Sequence, residues 1–125
     1  MKKLTPVLFV DAIEPSLEFW VTRLGFQKTV EVPDGDRLGF VLLTHSGVDV
    51  LLQTRASLAE DLPSVAALPR GISSLVYLDV PDFEAVRKRL EGCEIVVPVR
   101  KTFYGATEIG VREPGGHVVV FAENS

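Results

Sequence analysis

The sequence predicts an α+β domain: two βαβββ half-repeats forming a pseudo-symmetric, incompletely closed barrel of eight strands with two flanking helices. Three observations predict it. First, 125 residues, 46% hydrophobic and 24% charged, fit a single globular domain over residues 1–125. Second, a strand, a helix and three strands follow one another twice, over about 1–54 and 71–125, with 55–70 as linker. Third, the halves align: Val10-Asp11 before a helix ending at Leu24-Gly25 matches Val80-Pro81-Asp82 before one ending at Leu90-Glu91-Gly92. Each half alone would expose a sheet face. Side by side they can enclose a cup, and barrel mouths are common ligand sites.

In the first half, Thr5 to Val10 is apolar and β-rich, and Asp11 closes it as a candidate helix cap. Ile13, Leu17, Trp20, Val21 and Leu24 recur at helical spacing, with Pro15 and Ser16 in the first turn and Gly25 as the stop. Trp20 can be read as a pocket residue or as a helix anchor against the sheet, and its spacing with Leu17 and Leu24 favours the anchor. Phe26 to Val32, Arg37 to Thr44 and Val48 to Gln53 are strands, separated by Pro33-Asp34-Gly35-Asp36 and His45-Ser46-Gly47. The linker carries a weak helical signal over Ser57 to Leu62.

In the second half, Ile72 to Val80 is a strand and Pro81-Asp82 caps a helix. Phe83, Val86 and Leu90 form the apolar stripe of that helix; Glu84, Arg87, Lys88 and Glu91 face water. Cys93 to Val99, Phe103 to Arg112 and His117 to Glu123 are the remaining strands, the last pair joined by Glu113-Pro114-Gly115-Gly116.

A net charge of −4 argues against nucleic acid as partner, because that binding rests on Lys and Arg neutralising phosphates. No apolar run approaches the roughly 20 residues of a membrane span. The start, Met1-Lys2-Lys3 and a short apolar run, lacks the pattern of a signal peptide. The single cysteine, Cys93, cannot form an internal disulfide, so a reducing, cytoplasmic setting is expected. Without a neighbouring His it reads as a buried structural thiol. Gly110 and Gly115-Gly116 precede no helix and make no phosphate loop.

Phe19-Trp20 followed by Leu24-Gly25-Phe26 resembles the "FY…LGF" signature of the vicinal-oxygen-chelate superfamily. Arg112 to His117 is similar to the "DPDGN" turn before that family's last strand. The family includes glyoxalase I, extradiol dioxygenases, fosfomycin-resistance enzymes and bleomycin-resistance binding proteins. In its enzymes the resemblance implies a divalent metal on His and Glu side chains, acting as a Lewis acid on paired substrate oxygens. Those positions fall at Thr5, at Leu51 (or Gln53 if the register slips by two), at Leu75 with Ser73 or Ser74 nearby, and at Val120. Leucine and valine have no lone pair to give. The resemblance therefore implies the metal-free binding-protein branch, with no metal and no cofactor, and a homodimer.

Strand alternation assigns sides. If Thr5 faces the cup, so do Val7 and Phe9, then Asp49, Leu51 and Gln53, then Leu75, Tyr77 and Asp79, and Val118, Val120 and Ala122. Val76, Leu78, Val119 and Phe121 then pack under the helices. The expected ligand-binding set is Phe9, Asp49, Gln53, Tyr77, Asp79, Tyr104 and Glu108: aromatic walls with a few acceptors, suited to a small amphipathic or cationic molecule. Each has a plainer reading, as core aromatic or solvated carboxylate, and Asp79 as a helix cap. Arg100 to Gly105, with two aromatics beside a glycine, suggests a mobile rim or a dimer contact. His45 and His117 both sit beside turns and read as exposed.

Two rival readings stay open. One is a glyoxalase- or dioxygenase-like enzyme, with a displaced metal set (Asp49, Asp79, Glu123) or metal-free acid/base chemistry on Asp49, Asp79 or Glu108. The other is a dimeric structural or regulatory module.

Overall fold

A computed structural model describes residues 3–71 and 75–124. The chain divides into two compact units, Met1–Arg70 and Gly71–Ser125. Each holds a four-stranded mixed sheet with helices, an α+β arrangement in which the strand–helix–three-strand order occurs twice.

In the first unit, β1 (Val7–Val10) leads to α1 (Glu14–Leu17), which runs directly into a π-helical stretch, Glu18–Arg23. β2 (Gln27–Asp34), β3 (Arg37–His45) and β4 (Val48–Thr54) follow, in the sheet order β1-β4-β3-β2. β1 runs parallel to β4; the other pairings are antiparallel. Leu8, Val10, Val41, Leu43, Val50 and Leu52 are all buried, while Val7, Phe9, Leu42, Asp49 and Leu51 of the other parity are more accessible. One sheet face thus carries the core, as strand alternation requires.

The wide turn of the π-helix appears in the bond from Leu24 N–H to the Phe19 carbonyl, 3.2 Å across five residues. Phe19, Trp20 and Phe26 are buried together, with Trp20 edge-to-face against both phenylalanines at 5.3 and 5.2 Å between centroids. Trp20 is the expected anchor. Asp11 does not cap this helix: Ile13 occupies the cap position with no side-chain bond, and Asp11 instead lies 3.6 Å from Arg55.

Residues 55–70 hold more structure than a linker. α2 (Arg55–Asp61) follows β4 without a break, its first turn capped by the Thr54 side chain, which accepts from Ser57 N–H. α3 (Pro63–Ala66) begins at a proline, whose missing donor costs nothing in a first turn.

The second unit repeats the order: β5 (Val76–Asp79), α4 (Phe83–Arg89), β6 (Glu94–Lys101), β7 (Thr107–Arg112) and β8 (Val118–Glu123), arranged β5-β8-β7-β6. Val76 pairs with Val119 and Leu78 with Phe121, so these four share one face as predicted. α4 packs on β7 and β8 through buried Phe83 and Leu90. Its N-terminus is capped twice: Asp82 accepts from Ala85 N–H at 3.1 Å, and Glu123 from Phe83 N–H at 2.8 Å. Asp79 is therefore not the cap.

Three further expectations shift. β5 begins at Val76, and Ile72, Ser73 and Ser74 lie outside the described residues. Phe103, Tyr104 and Gly105 form a hairpin turn instead of a strand start, because Thr102 bonds back to Ala106 through both its N–H and its hydroxyl. Cys93 is half-buried in the turn before β6, not in the core. Among the described residues no helix is long and apolar enough to cross a membrane.

Candidate functional site

The seven expected binding residues divide between the two sheets. Phe9, Asp49 and Gln53 share the accessible face of the first. Phe9, Gln53 and Phe40 stand side by side across β1, β4 and β3. Gln53 is buried and donates to Ser57 Oγ at 3.2 Å, so α2 holds its amide. Asp49 stands opposite Thr44. A hydrogen bond from the Lys3 ammonium, with a weaker one from Thr44, holds the Asp49 carboxyl below the usual Asp range. That carboxylate is already paired, which lowers its value as a ligand acceptor.

Tyr77, Asp79, Tyr104 and Glu108 fall together in the second unit. Asp79, Ala122, Glu108 and Arg100 form one row across β5, β8, β7 and β6; Tyr77, Val120, Gly110 and Val97 form the next. Rows across a sheet step by about 4.8 Å per strand, so Asp79 and Glu108, two strands apart, stand about 10 Å from each other on one face. Glu108 is buried at 4% exposure and accepts both Nε and Nη2 of Arg100 on Oε1, each at 2.6 Å. A buried carboxylate requires such a partner.

The Tyr104 turn brings its phenol to that of Tyr77. The nearby Tyr77 phenol, with partial desolvation and the Glu108 charge, raises the Tyr104 pKa above the usual tyrosine value, while Thr102 opposes the shift. Asn124, just past β8, donates from Nδ2 to Tyr77 Oη at 3.4 Å and to Asp79 Oδ1 at 3.1 Å. The result is a hydrogen-bonded chain, Tyr77–Asn124–Asp79, with Tyr104 near Tyr77 and the Glu108–Arg100 pair farther along the Asp79 row.

Arg100, Asn124 and Lys3 were not foreseen from sequence as members of these clusters. The hairpin register over Lys101–Thr107 could have placed Arg100 opposite Glu108. Nothing local in the sequence points to Asn124 or Lys3.

A family model described as the Glyoxalase/Bleomycin resistance protein/Dioxygenase superfamily matches residues 4–121. The chain belongs to that superfamily. Solved structures share the fold at low identity. A glyoxalase/bleomycin resistance protein/dioxygenase family enzyme from Burkholderia phytofirmans PsJN is 17% identical, with TM-score 0.79 and 97% of each chain covered. TioX from Micromonospora sp. ML1 is 18% identical, with TM-score 0.73 over 100% of both chains. A lactoylglutathione lyase from Agrobacterium tumefaciens is 16% identical, with TM-score 0.72, covering 98% of this chain and 94% of that one. No curated protein sequence matches the chain.

The metal associated with the superfamily's enzymes does not fit the residues at the corresponding positions. Thr5 and Leu75 lie just before β1 and β5, Leu51 pairs with Val7 inside the first sheet, and Val120 pairs with Tyr77 in the second. Apolar side chains supply no donor, and Gln53, the slipped alternative, is already engaged with Ser57. Each member of the displaced set is otherwise engaged: Glu123 caps α4, Asp49 holds Lys3 and Asp79 accepts from Asn124. Among the described residues no three His, Cys, Asp or Glu side chains come together as a metal ligand group. His45 is exposed and stacks at 5.3 Å on Phe26; His117 is half-buried.

Proposed function

We propose that this superfamily member is a metal-independent binding protein of the bleomycin-resistance type, which sequesters a small amphipathic or cationic molecule. The observation that carries this reading is the chemistry of the ligand positions. Thr5, Leu51, Leu75 and Val120 cannot replace a His/Glu set, because three of the four have no lone pair. The same sheet faces instead offer what binding alone needs: Phe9 on the first; Tyr77 and Tyr104 on the second, beside Asp79 and Glu108.

The test has two arms. Protein incubated with Mn, Ni, Fe or Zn is analysed for metal, and a broad small-molecule library is screened by thermal shift. The expected result is far less than one metal per chain, with saturable stabilisation by a subset of amphipathic compounds. Near-stoichiometric metal overturns the metal-free part; a library without a single stabilising compound overturns the binding part. The homodimer and the cytoplasmic setting belong to the same proposal. Sedimentation at micromolar concentration should show a species of twice the chain mass, and a monomer there sinks the dimer.

A further inference from the structure

We infer that the Tyr77–Asp79–Tyr104 cluster recognises a protonated amine, and that the Asn124 side chain holds the position the amine takes. This rests on the binding reading above and names the ligand's class. The geometry begins with one nitrogen. Asn124 Nδ2 stands 3.4 Å from Tyr77 Oη and 3.1 Å from Asp79 Oδ1. An ionised carboxylate only accepts, so the atom facing it is an N–H donor. Two oxygens therefore converge on one donor nitrogen, and the Tyr104 phenol stands close enough to Tyr77 to feel it.

The donor now in place is poorly matched. It is a neutral amide, and both contacts are longer than the ~2.9–3.0 Å common for N–H···O bonds. Among the described residues no Lys or Arg pairs with Asp79; the cation across the row, Arg100, is taken up by Glu108. A charge-assisted bond from an ammonium is shorter and stronger than an amide's. Two phenol rings add attraction for a cation.

The cluster is also reachable. Tyr77 is 44% and Tyr104 51% exposed, and Asp79 and Asn124 are exposed as well. Asn124 lies beyond the last strand, so its side chain can swing away without breaking a sheet ladder. Amine binding would thus exchange an internal donor for an external, charged one. An aromatic amine fits best, with its ring against the phenols and its nitrogen between Tyr77 and Asp79. The cluster has no unengaged cation of its own among the described residues, so an anionic ligand gains nothing there.

The chain's two tyrosines are both in this cluster, which makes tyrosine absorbance a local reporter. Phenethylammonium and its neutral analogue 2-phenylethanol are titrated into the full chain by calorimetry and by near-ultraviolet difference absorbance at neutral pH. The expected result is saturable amine binding that perturbs the tyrosine band, with the alcohol weaker by about tenfold or more, the factor for 1.4 kcal/mol. Asp79→Asn should remove that preference, with an unchanged circular dichroism spectrum as the folding control. Asn124→Ala should bind the amine more tightly than wild type. Equal binding of amine and alcohol, or an Asp79→Asn variant that keeps the preference, overturns the amine assignment. If library compounds still stabilise the protein, the broader binding reading stands. If neither the probes nor the library bind, both fall. An Asn124→Ala variant with unchanged amine affinity overturns the role given to Asn124.

Discussion

Gly110 sits in the middle of β7 with the Val97 side chain lying over it. A Cβ there would stand 2.9 Å from both Cβ and Cγ2 of Val97, and 3.4 Å from Cγ2 of Val120. Gly110→Ala should therefore overpack the sheet face and cost about 1–3 kcal/mol. Adding Val97→Ala should recover part of that loss, and urea unfolding of the two single variants and the double variant measures the coupling. Glu113 is a different case. It is 1% exposed; Oε1 accepts from His117 N–H at 3.2 Å, and Oε2 is buried without a partner. Glu113→Gln keeps an acceptor for that N–H and removes a buried charge, so it should match or exceed wild-type stability. Glu113→Ala leaves the N–H unsatisfied and should lose about 1–3 kcal/mol. A Gln variant as damaged as the Ala variant would show that the charge itself is needed. Neither role was legible in sequence. Gly110 only excluded a phosphate loop, and Glu113 read as a turn residue, because close approach and burial depend on strands distant in sequence. Alternation alone puts Tyr77 and Asp79 on one face, whereas the place of Glu108 in the Asp79 row depends on strand register that spacing does not give. Asn124 was not legible, since no periodicity governs a residue past the last strand.

Capping and tethering decide how the elements hold their places. Glu14, in the first turn of α1, accepts from Leu38 N–H at 2.9 Å and so ties the helix to the start of β3. That backbone bond, followed by the residue's own N–H, holds the Glu14 pKa below its ordinary value of 4.5, with Arg37 and Lys28 helping and burial opposing. A lowered folded-state pKa means the tether stabilises while the carboxylate is ionised. Its contribution is full above pH 4.5 and is lost as the pH falls through the lower folded value. Wild type should thus exceed Glu14→Gln in stability at neutral pH, with the gap closing only below that range. A gap independent of pH would assign the difference to packing. At α4 the sequence pattern was sufficient: Asp82 is the cap that Pro81-Asp82 predicts, and Asp82→Ala should cost about 1 kcal/mol in thermal or urea unfolding. At α1 it failed. Asp11 has the right residue type but lies two positions too early, and the widened turn over Glu18–Arg23 leaves no mark in hydrophobic spacing. Residues 55–70 read as linker because α2 and α3 are short; α2 is held by packing on β1, β3 and β4, and α3 packs on α2.

At the scale of the whole molecule, the internal repeat was the most legible feature, and its two halves manage the same hazard in the same way. β2 and β6 occupy equivalent edges of their sheets. Both are exposed along almost their full length, with Val30 and Val32 on one and Ile95 and Val99 on the other. An exposed apolar edge is a template for pairing with another chain. Each strand carries a proline, Pro33 or Pro98, at an irregularity of register, and each has a second irregularity nearby, at Lys28/Val30 or Ile95/Val97. Proline removes a donor and the bulge twists the edge, so neither strand presents a regular ladder. Charged neighbours, Lys28 and Glu31 on β2, Arg100 and Lys101 on β6, add to the barrier. Replacing Pro33 and Pro98 together by threonine should restore edge donors and raise strand propensity at once. The expected outcome is open-ended self-association that grows with concentration in sedimentation velocity, while the folded far-ultraviolet signal is kept at low concentration. This differs from the homodimer proposed above, which has fixed stoichiometry and should persist in both proteins. If the double variant sediments as wild type at every concentration, the charges and bulges suffice to block the edges. The prolines would then serve only to bend the strands.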